Sequence, residues 1–207
     1  MREEVDTPIS DVRHVDSNLF VTISGPPGCG ATTIASGLAR ALDCGWISGG
    51  DIFREIAEQR GMSLSQLIAK ADENDDLDRA LDQRLRTIAE QWGASNKPFV
   101  LESRLAGWIA GNRADLRIWL DAPEDVRVER IEQREEMKAE MRVREVSEAG
   151  RYESYYDIDV SDQSFYDLSI NTARWTPEAT LEMILTGLDT YDPETDEGAF
   201  ETEDIEF

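Results

Sequence analysis

Two patterns of apolar and polar residues take turns along the chain. Five short runs, "NLFVTISG" (18–25), "GWISGGD" (45–51), "PFVLES" (98–103), "LRIWLDAP" (116–123) and "YDLSINTA" (166–173), cluster their apolar residues instead of spacing them at helical intervals. Such runs predict strands buried on both faces, as in sheets covered by helices. Between them the apolar positions recur every three or four residues. "TTIASGLARALD" (32–43) places Ile34, Leu38 and Leu42 on one side, and "DIFREIAEQRG" (51–61) reads as a helix capped by Asp51. Further helix is predicted over Ser63 to Glu90, over the mixed-charge segment 123–156 and over "TPEATLEMILTGL" (176–188). The start of the last one is well marked, with Thr176 as cap, Pro177 at the first helical position and Glu178 in the first turn. Strands alternating with helices predict an α/β fold with a five-stranded, mostly parallel sheet. Its ligand belongs at the carboxyl ends of the strands.

Composition narrows this. A chain of 207 residues with 40% hydrophobic content can bury the core of one domain. It has no run of about 18 apolar residues, so no membrane span is expected. Residues 1–17 lack the apolar middle of a secretory signal. Cys29 and Cys44 make no disulfide framework, which points to a reducing cytoplasm, with Cys29 serving as a small filler. Charge changes the picture more. Asp and Glu number 44 against 21 Lys and Arg, a net −23, and three of those bases are lysine: Lys70, Lys97 and Lys138. Acid excess with scarce lysine suggests a salt-rich cytoplasm, where screening relieves self-repulsion. It argues against nucleic acid or anionic membrane as partners. The polar stretch 1–17 and the tail 189–207, with nine acids and no base, are expected to be solvated extensions of a single domain over 18–188.

The first strand runs into "SGPPGCGATT" (24–33), which has the outline of a phosphate-binding loop, G-x-x-x-x-G-K-[ST]. Glycines at 25, 28 and 30 let backbone N–H groups converge on phosphate oxygens at a helix N-terminus. Pro26, Pro27 and Cys29 complete the turn. Thr32 falls where a hydroxyl ligand of Mg²⁺ belongs, and Thr33 where a further phosphate contact would fall. The lysine of the motif is missing, and Ala31 stands in its place. Phosphoryl transfer still needs cations, so arginines must come from elsewhere in the chain.

They are available. "MRVREVSEAGR" (141–151) carries Arg142, Arg144 and Arg151, with Arg144 and Arg151 on one helical face. Glu145 and Glu148 are interleaved and could hold the guanidinium groups in place. An ordinary salt-bridged solvent face is the alternative. Arg54 and Arg104 each follow a strand, well placed to grip a second phosphate group. Glu102, at the tip of the third strand, can orient Mg²⁺ waters or pair with an arginine. The one histidine, His14, lies in the N-terminal stretch, so no histidine-dependent chemistry is expected.

Taken together, "SGPPGCGATT", "ISGGDIFRE", "LESRLAGW", "LRIWLDAP", "RVREVSEAGRYESYYDID" and "YDLSINTARW" resemble the archaeal type of cytidylate kinase, a branch of the nucleoside monophosphate kinases, from about Asn18 to Leu188. The resemblance implies a P-loop kinase fold with a small helical monophosphate-binding part (about 47–95) and a short helical lid (about 133–158), basic and mobile. It implies ATP as donor with Mg²⁺, and CMP or dCMP as acceptor. By that likeness Ser48, Asp51, Arg54 and Arg104 fall at CMP-binding positions, and Arg142, Arg144 and Arg151 fall in the lid. Thr172 and Arg174 fall near the base of ATP. Ala31 departs from the likeness, which has lysine or a hydroxyl residue there, and bears on rate more than on binding. An acceptor that is already a phosphate, with a second pKa of about 6, needs no general base. Asp78 and Asp82 could accept a hydrogen bond from the cytosine amine, or be simply solvated.

Three other readings stay open. One is a kinase for AMP, UMP or a non-nucleotide alcohol. Another is a nucleotide-binding regulator or GTPase-like switch, although "NKPF" (96–99) has Phe99 where a guanine-reading motif needs an acid. The third is a purely structural interaction protein. The expected partners are small nucleotides, and the expected state is a monomer.

Overall fold

The computed structural model describes residues 9, 12–63, 66–67, 69–70, 76–132 and 138–192, without the side chains of 78, 132, 138–144, 146 and 147. Five strands form its sheet: β1 (Phe20–Ser24), β2 (Gly45–Ser48), β3 (Phe99–Glu102), β4 (Leu116–Asp121) and β5 (Leu168–Asn171). Their order is β2-β3-β1-β4-β5, and every pairing is parallel. All five residues of β1 are buried, as a central strand covered on both faces requires. From β1 the chain steps outward to β2, returns to β3, then crosses to β4. That reversal opens a crevice at the carboxyl ends of β1 and β3.

Helices cover both faces. α1 (Ala31–Ala41) and α7 (Pro177–Thr190) pack on one, where Ile34, Leu38, Leu181, Ile184 and Leu185 meet Val21, Ile23 and Ile118. α3 (Asp76–Gly93) and the short α4 (Ala106–Ala110) cover the other, with Leu85, Ala89 and Ile109 against Phe20, Phe99 and Leu101. Each aliphatic side chain so buried contributes about 1.5–3 kcal/mol. Trp92 of α3 stacks flat on Phe99, ring centroids 4.4 Å apart. α2 (Gly49–Gln59), α5 (Glu124–Glu132) and α6 (Lys138–Tyr156) are further helices.

Four expectations change. Asp51 does not cap α2; Ser48 does, its Oγ accepting from the Asp51 N–H at 3.4 Å. The strand feeds the helix without a loop, so the cap falls on the last strand residue. Gly49 is helical and not part of the second strand run: a Cβ there would sit 2.7 Å from Ser103 Cβ, so the glycine allows close approach. α4 lies in a segment read as connection, because its glycine and alanine positions show too little apolar period. Part of the N-terminal stretch is core, not solvated extension. Ile9 and Val15 are buried against α1 and α7, Val15 N–H donates to Ala41 O at 2.9 Å, and Arg13 pairs with Glu182 and Asp189. Residues 193–207 of the acidic tail lie outside the described residues.

Candidate active site

The turn from β1 to α1 is built on glycine. Gly28 and Gly30 hold φ of 80° and 94°, in the left-handed region that side chains rarely adopt. Gly30 precedes α1 with no side-chain cap, so the first N–H groups of the helix are served neither by that cap nor by intrahelical carbonyls. A Cβ on Gly25 would lie 2.2 Å from Leu120 O and 2.7 Å from Cys29 Sγ. Cys29 is the filler expected of it: burial pushes its thiol up to about 12, far from a reactive thiolate.

This loop forms one wall of a cleft of about 600 Å³. All nine predicted loop residues, Gly25 to Thr33, line it, as do Ser48, Arg54, Glu102, Arg104, Arg151 and Thr172. Segments following β1, β2, β3 and β5 therefore converge at the carboxyl edge of the sheet. Two predicted residues stand outside the lining. Asp51 is exposed and holds Arg54 (Oδ1 to Nη2, 2.6 Å), while Arg174 is exposed beyond β5. The side chains of Asp78, Arg142 and Arg144 lie outside the described residues. Asp82, by contrast, is buried in the cleft wall and accepts from Tyr156 Oη at 3.0 Å.

Arg104 is pinned on two sides: its Nη1 donates to Gly25 O at 2.9 Å and its Nε to Glu148 at 3.0 Å. Its Nη2 is buried and has no hydrogen-bond partner. A buried donor without an acceptor is costly, and a phosphate oxygen would satisfy it. Beside it, Glu102 Oε2 is shielded and accepts no hydrogen bond. Burial raises the Glu102 carboxyl above the usual range, Asp51 adds to that, and Ser48, Arg54 and Arg104 oppose it.

The acids of α6 hold arginines, though from other elements. Glu148 takes Arg104 of the β3 turn, and Glu145 takes Arg127 of α5 in a two-bond fork at 3.0 and 3.2 Å. These pairs, with buried Tyr152, dock the second half of the expected lid against the cleft. Sequence reading expected helix here but gave the arginines of α5 no role. Arg127 Nη1 donates to Pro27 O at 3.1 Å, and Arg130 donates to Gly28 O at 3.2 Å and to Thr172 Oγ1 and O at 3.0 Å each. The available signal was their spacing: positions 127 and 130, three apart on a helix, share a face. Thr172 in turn donates to Cys29 O at 2.7 Å, so its hydroxyl braces the loop. Trp175, 53% exposed, stands at the same rim.

The chain matches the family model described as "AAA domain" over residues 21–153. A cytidylate kinase of Haloarcula marismortui is 50% identical over 91% of this chain and 99% of its own length. One of Haloquadratum walsbyi is 48% identical, covering 90% and 98%. The chain belongs to the cytidylate kinase family. These two relatives come from halophilic archaea, which fits the acid excess. Among solved structures, the shikimate kinase of Bacteroides thetaiotaomicron superposes with a TM-score of 0.56 at 17% identity, over 83% of this chain and 98% of that one. The likeness is one of fold, a P-loop kinase with a parallel sheet.

Proposed function

We propose that this chain transfers the γ-phosphoryl group of ATP to the phosphate of CMP or dCMP. A phosphate oxygen of the monophosphate attacks Pγ, the bond from Pγ to the bridging oxygen of ADP breaks, and CDP or dCDP leaves with ADP. The observation that carries the reading is the single cleft that joins the phosphate loop to Ser48, Arg54, Arg104 and Arg151. The loop and Thr33 bind the donor phosphates, with Thr172 and Arg174 toward the donor base. Ser48, Arg54 and Arg104 bind the monophosphate, with Asp51 steadying Arg54. Arg142, Arg144 and Arg151 belong to the lid, over about 133–158, and stabilise charge on the transferring group. Asp82, and Asp78 one turn before it, read the cytosine amine.

Mg²⁺ fits the donor set here. Glu102 offers a shielded, unbonded oxygen and Thr32 a hydroxyl in the first turn of α1. Among the described residues no group of three His, Cys, Asp or Glu makes a metal site of its own, which suits an ion carried in on phosphates. When bound, the ion neutralises phosphate charge. The acceptor is largely dianionic near neutral pH, its second pKa being about 6, so no residue has to remove a proton. No described helix is long and apolar enough to cross a membrane, and we place the enzyme in the cytoplasm as a monomer.

ADP release coupled to CMP, dCMP, UMP and AMP, with ATP and Mg²⁺ in molar KCl, tests the reading. Turnover with the cytidine nucleotides alone is expected. Preference for AMP or UMP would reassign the acceptor. Binding of ATP without turnover of any monophosphate would make the chain a nucleotide-binding regulator, the reading that Ala31 favours.

A further inference from the structure

The phosphate loop lacks its lysine, yet a guanidinium stands directly against it. We propose that Arg130 is the positioning cation of this loop, acting from α5 in place of the lysine absent at position 31; the proposal rests on the kinase reading above.

Three observations converge on it. Arg130 lines the cleft beside Gly28 to Thr33. Its hydrogen bonds run to Gly28 O (3.2 Å), Thr172 Oγ1 (3.0 Å) and Thr172 O (3.0 Å), with a longer approach to Cys29 O at 3.5 Å. Every one of these acceptors is neutral. Among the described residues no carboxylate pairs with Arg130, whereas Arg104 and Arg127, the other arginines that hold loop carbonyls, are paired with Glu148 and Glu145. In a chain of net charge −23, an arginine kept clear of carboxylates at a phosphate loop retains its full charge for an anion.

The geometry also explains how it acts. A peptide unit is planar and trans, so a carbonyl and the following N–H point opposite ways. Arg130 draws the carbonyls of Gly28 and Cys29 to its own side, and Arg127 draws that of Pro27. The N–H groups of Gly28 and Gly30, which follow the Pro27 and Cys29 carbonyls, are thereby turned to the other side, the orientation a phosphate cradle needs, while the Cys29 N–H that follows the Gly28 carbonyl is held on Pro26 O at 3.1 Å. A lysine of the usual motif reaches the phosphates with its own ammonium. Here the positive charge sits one peptide layer behind the cradle, partly buried and so less screened by salt than a surface charge.

The test is a cycle of Arg130→Gln and Ala31→Lys, singly and together, in the full chain. Glutamine removes the charge and keeps an amide donor, on a shorter side chain. ATP affinity is read by calorimetry, and kcat and KM for ATP and CMP by coupled ADP release. R130Q is expected to lower kcat/KM for ATP by about tenfold or more, the size of one lost charge-assisted contact, while KM for CMP stays nearly constant. A31K should then raise R130Q by a larger factor than it changes the parent. Parental ATP affinity and turnover in R130Q overturn the proposal. So does an equal effect of A31K in both backgrounds, or an equal rise in both KM values, which marks a merely structural residue. Should R130Q not fold, Arg130→Lys takes its place: it keeps the charge and must keep ATP affinity near the parental value, and a loss as large as that expected of R130Q overturns the proposal. Loss of turnover in the parent itself would instead strike at the kinase reading, not at Arg130.

Discussion

At Glu102 the surroundings are set against the charge the residue is meant to carry. The folded protein binds a proton there more tightly than the unfolded chain does, because burial penalises the carboxylate. Stability associated with that group is therefore complete at acid pH and declines as pH rises through the raised value. Glu102→Gln removes the decline. In the nucleotide-free protein its gain in Tm should be near zero at about pH 4 and largest near pH 7, while turnover with Mg²⁺ and ATP falls. Thermal unfolding of both proteins across that range is the measurement, and a gain that grows on acidification would refute the assignment. Legibility was uneven at this scale. The loop from Gly25 to Thr33 could be read because adjacent residues make it. Arg104 and Glu102 could be read from their place at a strand end. Arg127 and Arg130 could not, because the loop oxygens they hold lie about a hundred residues away along the chain.

Among the elements, helix starts show how local and nonlocal chemistry divide. Thr176 was legible as the cap of α7 because cap, proline and acid lie within three residues, and its Oγ1 accepts from Ala179 N–H at 3.2 Å. Thr176→Ala is expected to cost about 1 kcal/mol. The loss should appear as a lower unfolding midpoint with KM for both nucleotides unchanged; an altered KM for ATP would show that the cap also shapes the cleft. Asp51 was misassigned because the cap, Ser48, lies three residues earlier as the last residue of β2, and only the end of that strand fixes where the helix starts. α4 was invisible for a related reason. Its five residues are too few for a helical period, and its helicity depends on packing against α3 and β1.

For the molecule as a whole, charge is the governing quantity. A net charge of −23 repels itself in dilute buffer, where the screening length is about 10 Å at 0.1 M, and much less so near 1 M, where it is about 3 Å. Raising KCl from about 0.1 to 2 M should raise Tm and sharpen the transition. Sodium-free KCl and a scanning calorimeter suffice, and a flat or falling Tm would remove self-repulsion as the limiting factor. The surface pairs of Arg13 with Glu182 and Asp189 should weaken over the same range, which acts in the opposite direction but on only one group.

By itself the sequence determined the alternation of strands and helices, the phosphate loop, the cap of α7 and the acidic surface. Each rests on residues within a few positions of one another or on composition. Tertiary structure alone decided the strand order and the burial of Ile9 and Val15. It alone also set the partners of Glu145 and Glu148 and the approach of Arg130 to a loop without lysine. The physical reason is the same throughout: these contacts join distant segments, and their energies depend on burial and direction that no local pattern records.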